Sequence, residues 1–383
     1  MKNTESILKS LVAIRSVFPD EKNVALWIED FLKKNGFEIQ RHKITDGRWN
    51  ILAERGKEKS SLLFYGHMDT VPVYGNWDTN ALELVAKGDK LYGVGACDMK
   101  GGLAAILNAV ASVKTDKKIK ILLGVDEENI SEGAWKTVLE KKVWFKDVAA
   151  ILVAEPGASA TQTGGINVVT LGRRGRVVFS VEVFGKSAHG AHPEKGINAI
   201  NEAARLTLAL EKIKLQKNSL LGEGTLFVRK FDSQSTSLSI PDYAYLEIDR
   251  HIVLPETINS AKSQLEKLIQ ELYKTNKLSK NADGKIKISV KERKTPYIEP
   301  YITKNDNPFV KNILGLIKNN FTRDLVINYG KSVADDNIFA TQLNVPVVTI
   351  GPMGGNIHGA NEWVSKESLN DVSKFYKLII ESF

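Results

Sequence analysis

His67 and Asp69 stand two residues apart at the end of Leu62-Leu63-Phe64-Tyr65, an apolar run closed by Gly66. Such a run reads as a buried strand of a parallel sheet, and open α/β sheets gather their ligands outside the carboxyl ends of the strands. An imidazole with a carboxylate two residues on suits a metal ligand and the group that orients it. A lone pair of this kind is weak, because histidines near strand ends are commonly structural. Further positions strengthen it. Asp98 lies in the glycine-rich stretch 92–102, which opens a helix. Glu127 and Glu128 follow the apolar segment 119–125, Glu155 follows 149–154, and His358 lies beyond the last strand, in the stretch 351–359. Each carboxylate taken alone also suits a helix N-cap. Gathered at one edge of one sheet, two histidines and three or more carboxylates suit two zinc-like ions that share a bridging carboxylate.

The elements that would carry these residues can be read from the same chain. Helical patterns fill residues 4–35 and close at Gly36; a hairpin follows at 37–43 and 49–53 around Asp46-Gly47. Strands at 62–65, 119–125 and 149–154 then alternate with helices at 103–113 and 134–140, the signature of a parallel sheet. Near Gly172 the pattern changes to half-buried alternation at 177–183. A helix at 199–215, strands at 225–231 and 244–253, a helix at 256–278 and a strand at 285–290 complete the β-α-β-β-α-β order of a ferredoxin-like unit. From residue 300 the strand and helix alternation returns, with strands at 325–328 and 345–350. The expected fold is therefore α/β, a larger domain with a central, mostly parallel sheet flanked by helices, interrupted by an inserted ferredoxin-like α+β domain. The expected limits are 1–171, 172–294 and 295–383.

Composition narrows the class. The 383 residues are 43% hydrophobic and 26% charged, as in an ordinary soluble globular protein, and the length favours two domains. No apolar run approaches the roughly 20 residues of a membrane span, and the first residues show no signal-peptide core. Cys97 is the only cysteine, so no intramolecular disulfide forms, which is compatible with a cytoplasmic protein. The net charge of +8 is spread over lysine-rich helix faces with few interleaved aromatics, which argues against a nucleic-acid partner. Several lookalikes fail. Asp98 occupies the third-glycine position of a dinucleotide fingerprint, His189 the last glycine of a nucleophile elbow, and no histidine is followed by glutamate. His42, in the early hairpin, reads as a surface residue.

Six segments together resemble one family. They are Gly66-His67-Met68-Asp69-Thr70-Val71-Pro72, the stretch 92–102, Asp126-Glu127-Glu128, Ala154-Glu155-Pro156, Gly185-Lys186-Ser187-Ala188-His189 and His358-Gly359-Ala360-Asn361-Glu362. In this order they resemble the metallopeptidase family of acetylornithine deacetylase and succinyl-diaminopimelate desuccinylase, with glutamate carboxypeptidase, aminoacylase and several dipeptidases as relatives. The resemblance implies that His67, Glu128, Glu155 and His358 ligate two divalent ions bridged by Asp98, most often zinc, with cobalt or manganese as alternatives. It implies that Asp69 orients His67 and that Glu127 is the general base. It further implies a homodimer formed through the inserted domain, which acts as a lid, with His189 reaching the partner's active site. Arg173 and Arg250 match positions that hold a substrate carboxylate. The implied activity is hydrolysis of an N-acyl amino acid, or alternatively of a short peptide by a carboxypeptidase or dipeptidase; a non-catalytic binding module is the remaining alternative. One departure stands out: Leu238-Ser239-Ile240-Pro241 lacks the asparagine that relatives often carry there.

Overall fold

The computed structural model describes residues 3–157, 164–235, 237–279 and 285–383. The chain divides into two compact units, one of Met1–Gly172, Ile302–Gly330 and Ala334–Phe383, the other of Arg173–Tyr301 with Lys331–Val333. The second unit thus continues to Tyr301 rather than stopping at 294. The cause is a bridge between Arg176 and Ile298, in which the Arg176 amide donates to the Ile298 carbonyl at 2.8 Å and ties the segment back to that unit.

The first unit is built on a nine-stranded sheet. Its spatial order is Glu38–Thr45, Arg48–Arg55, Lys118–Gly124, Ser61–His67, Val148–Val153, Val347–Thr349, Val168–Arg173 and Tyr301–Ile302, with Val326–Gly330 paired to Val168–Arg173. The strand Ser61–His67 lies parallel to both of its neighbours, and Val347–Thr349 is parallel to Val148–Val153. Antiparallel pairs flank this centre, with the early hairpin on one side and Val168–Arg173 on the other. All of Ser61–His67 is buried. Both faces are covered, so the sequence there shows an unbroken apolar run rather than alternation.

The helix Lys100–Ser112 owes its close seat to small residues. A Cβ on Gly102 would lie 2.1 Å from the Ala154 carbonyl oxygen, so only glycine allows the helix to approach the end of the Val148–Val153 strand. That approach brings the loop before the helix, with Asp98, toward Glu155. A second, four-stranded sheet is absent from the sequence expectation. It consists of Gly354–Gly355, Trp363–Ser365, Lys90–Tyr92 and Val85–Lys87, in that order.

The second unit carries the sheet order Thr225–Asp232, Tyr243–Ile252, Gly175–Phe184, Lys285–Val290, with antiparallel neighbours. With the helices Ala199–Leu210 and Ile258–Lys274 this is the ferredoxin-like arrangement. Val177, Phe179, Val181 and Val183 pack into its core with Leu206, Leu246 and Leu265.

His42 departs from its expected place at the surface. It is 4% exposed. Its Nδ1 lies 2.9 Å from Thr137 Oγ1 and its Nε2 2.8 Å from Glu140 Oε2. The helix Glu132–Glu140 covers that face of the hairpin, a tertiary contact that local alternation does not reveal.

Candidate metal centre

Each ligand candidate sits at an element boundary of the first unit. His67 ends the strand Ser61–His67, and the Asp98 loop leads into the helix Lys100–Ser112 through a cis Asp98–Met99 peptide. Glu127 and Glu128 belong to the turn after Lys118–Gly124, and Glu155 lies just past Val148–Val153. His358 lies in the turn between Gly354–Gly355 and Trp363–Ser365, at φ 61°, a left-handed conformation that few non-glycine residues adopt.

These residues converge. His67, Asp98 and Glu155 form one set of three with ligand atoms within 4.8 Å of one another, and Asp98, Glu128 and His358 form another. Asp98 is common to both, and it divides its two oxygens between them. Its Oδ1 lies 3.2 Å from His67 Nε2 and its Oδ2 lies 3.3 Å from His358 Nε2. His67 Nε2 is also 2.9 Å from Glu155 Oε1, and His358 Nε2 is 3.1 Å from Glu128 Oε2. Glu127 falls in neither set; it joins His67 and Glu128 in a third.

Supporting contacts fix the ring and the loops. His67 Nδ1 donates to the Asp69 backbone carbonyl at 2.9 Å, with the Asp69 carboxylate at 3.6 Å, so the Nε2 lone pair is left for an ion. Asp69 Oδ2 accepts the Glu128 amide at 3.0 Å. Glu362, quoted in the sequence motif without a role, is 2% exposed. It accepts backbone N–H groups of Gly95 at 2.7 Å, Cys97 at 2.9 Å and Asp98 at 2.9 Å. One carboxylate therefore sets the loop that presents Asp98. Asp78 and Asn361 tie the neighbouring loop to the His358 turn, with the Asp78 amide donating to Asn361 Oδ1 at 3.0 Å and Asn361 Nδ2 to Asp78 Oδ2 at 3.1 Å.

The electrostatics suit cations. Among the described residues no lysine or arginine pairs with the Asp98 or Glu128 side chains; their charged partners are His67 and His358. Burial works against the charged His67 ring but is outweighed by Glu155, Asp69 and Asp98, which hold its pKa well above the ordinary range. Hydrogen bonds to Asp98 and Glu128 push His358 up to about 10. Burial lifts the Glu127 carboxyl well above its usual value; the charges of Asp335, Glu155 and Glu128 add to this and His67 opposes it. The cluster is rich in carboxylates, and among the described residues Asp98 and Glu128 have no lysine or arginine partner. Two divalent ions fit it, with a three-donor set each and a shared carboxylate.

The other expected site residues belong to the second unit. His189 is exposed, in a turn laced to the segment around Ser239. There the Ile240 amide donates to the Ala188 carbonyl and the Gly190 amide to the Leu238 carbonyl, both at 2.8 Å. Arg173 ends the strand Val168–Arg173, with Nη1 3.4 Å from Ser332 Oγ. Arg250 is 0% exposed. Its Nη2 meets Glu256 and Gln264, while Nε and Nη1 have no hydrogen-bond partner.

Comparison with known proteins gives the family. A succinyl-diaminopimelate desuccinylase of Nautilia profundicola is 26% identical over 387 residues, covering 100% of both chains. Among solved structures, an aminopeptidase from Bacillus cereus superimposes with a TM-score of 0.80 at 18% identity, covering 99% of this chain and 98% of that one. A dinuclear metal binding peptidase from Bacillus subtilis does so with a TM-score of 0.73 at 14% identity, covering 99% and 97%. The model of peptidase family M20/M25/M40 matches residues 63–382, a span that contains all the ligand candidates, and the chain belongs to that family.

Proposed function

We propose that this metal-dependent amide hydrolase is an N-acyl amino acid deacylase of the acetylornithine deacetylase and succinyl-diaminopimelate desuccinylase type, acting in amino-acid biosynthesis in the cytoplasm. The observation that carries the chemistry is Asp98 placed between two ligand sets, with Glu127 beside both and in neither. The desuccinylase relative, alike over its whole length, supports the substrate class. Two bound divalent ions, zinc by preference and cobalt or manganese as alternatives, would acidify a water and polarise the amide carbonyl. His67, Asp98 and Glu155 would hold one ion, and Asp98, Glu128 and His358 the other.

The chain's own residues do the rest. Glu127, which lies in neither set of three that contains Asp98, takes the proton of the attacking water and returns it to the leaving nitrogen. The C–N bond breaks; the acyl carbon keeps the hydroxyl oxygen and the nitrogen leaves as a free amine. Arg173 and Arg250 are assigned to the substrate carboxylate, the latter supported by its two unused donors. His189 is assigned to the oxyanion of the partner chain's substrate in a homodimer, where a good donor contributes about 3 to 4 kcal/mol. Its exposure and its laced turn support that role.

The test is a panel of N-acetyl and N-succinyl amino acids and dipeptides, each assayed with Zn²⁺ and Co²⁺ and paired with elemental analysis. Turnover of the acyl amino acids with two ions per chain is expected. Preference for dipeptides moves the assignment to a peptidase, and a chain without bound metal that is indifferent to chelators overturns it.

A further inference from the structure

Next to the turn that carries Glu127 and Glu128 lies a buried ion pair whose hydrogen bonds and salt bridges, among the described residues, reach neither ligand set. Arg48, the first residue of the strand Arg48–Arg55, directs Nε to Glu21 Oε2 at 2.8 Å and Nη2 to the other oxygen of Glu21. The same Nη2 lies 3.4 Å from Asp126 Oδ1. Glu21 is 0% exposed, Arg48 7% and Asp126 1%, and the guanidinium is 4.4 Å from the centre of the Phe18 ring. We propose that Glu21 and Arg48 are a positioning pair for the metal centre, holding Asp126 so that the turn presents Glu127 to the substrate and Glu128 to its ion.

Three observations carry this. Asp126 has φ 77°, a conformation that costs a non-glycine residue energy and persists only where its surroundings hold it. Its carboxylate is used in full: besides Arg48 it accepts Asn129 Nδ2 at 3.2 Å and the Glu132 amide at 2.9 Å, and its carbonyl accepts the Ser131 amide at 2.8 Å. Two residues along the same strand, Asn50 accepts the Val125 amide at 3.0 Å and donates to the Gly133 carbonyl at 2.9 Å. The strand Arg48–Arg55 therefore holds the turn at both ends and, through Arg48, at its bend. A buried ion pair is a poor choice for stability alone, since apolar replacements commonly serve as well. Its fork geometry is suited to fixing position, and lysine does not reproduce it.

The inference rests on the two-ion reading and has a consequence that separates the ions. Glu128 belongs to the set with Asp98 and His358 and not to the set with His67, Asp98 and Glu155. Loosening the Asp126 turn is therefore expected to weaken the ion of the Glu128 set far more than the other. The experiment is graded chelator competition on the cobalt-loaded full-length protein, with His358→Ala used to identify which of the two release steps belongs to the Glu128 set. In Arg48→Lys that step is expected to weaken by ten- to a hundredfold, the range for groups that orient metal ligands, while the other changes by less than about threefold. Glu21→Met/Arg48→Met, which removes the Glu21–Arg48 pair as a whole and leaves Asp126 with its Asn129 and Glu132 donors, provides the same reading without a lone charge at position 21. Wild-type affinity at both steps, or equal weakening of both, overturns the inference. A wild-type protein that never loads a second ion overturns the two-ion reading itself.

Discussion

At the scale of single residues, one position in the chain separates the proposed ligand Glu128 from the proposed base Glu127. Glu128 belongs to a set with Asp98 and His358 and Glu127 to none with Asp98, so their substitutions should differ in kind. Glu127→Gln is expected to lower kcat by roughly 10² or more, the common range for general acid–base catalysis, with two ions still present by elemental analysis. Loss of metal along with activity would show the two roles to be exchanged. The raised pKa of His358, about 10, gives a second expectation. In the metal-free chain its charged form is stabilised by Asp98 and Glu128, so its contribution to stability is complete below the unperturbed value near 6.5 and is lost as the pH rises through about 10. At neutral pH an entering ion must displace that proton. Metal affinity should therefore rise between pH 6 and 8, and calorimetry in buffers of different ionisation enthalpy should register proton release. A pH-independent affinity would contradict the placement of His358 in the centre.

At the scale of elements, the centre depends on how closely helices and loops approach strand ends. Gly102→Ala places a Cβ where the Ala154 carbonyl stands, at 2.1 Å, and the helix Lys100–Ser112 must retreat. The expected cost is about 1 to 3 kcal/mol, as for other overpacked sites, read by urea unfolding, with weaker binding of both ions because Asp98 serves both. A variant with wild-type stability and affinities would show that the approach is not needed. The candidate ligand positions were legible in the sequence because each follows an apolar run or lies in a glycine-rich loop, signals that need no tertiary knowledge. The second small sheet was not legible there. Its strands are two or three residues long, as in Gly354–Gly355 and Lys90–Tyr92, too short to display a period. Glu362 and Arg48 escaped for another reason. A buried carboxylate that accepts backbone amides, and an arginine that pairs with two acids far apart in the chain, leave no local pattern. His42 looked like a surface residue because nothing in the hairpin records the helix that covers it.

At the scale of the whole molecule, roles in the reaction are proposed for His189, Arg173 and Arg250, and dimerisation can be tested through the first of these. Co-refolding inactive Glu127→Ala chains with inactive His189→Ala chains should restore part of the activity if each site is completed by a partner, since one site in each heterodimer then has both residues. Confirmed heterodimers without activity would dispose of the shared site. No helix among the described residues is long and apolar enough to cross a membrane. The shared Asp98 also has a bearing on the order in which the protein is made. His67, Asp98 and Glu155 all precede residue 172, whereas His358 comes near the end. The strand Val347–Thr349, which fills the place between Val148–Val153 and Val168–Arg173, emerges equally late. On the two-ion proposal, the residues of one set are therefore all present in the chain before residue 172. Those of the other are complete only with the final segment, which also supplies the strand Val347–Thr349 to the sheet.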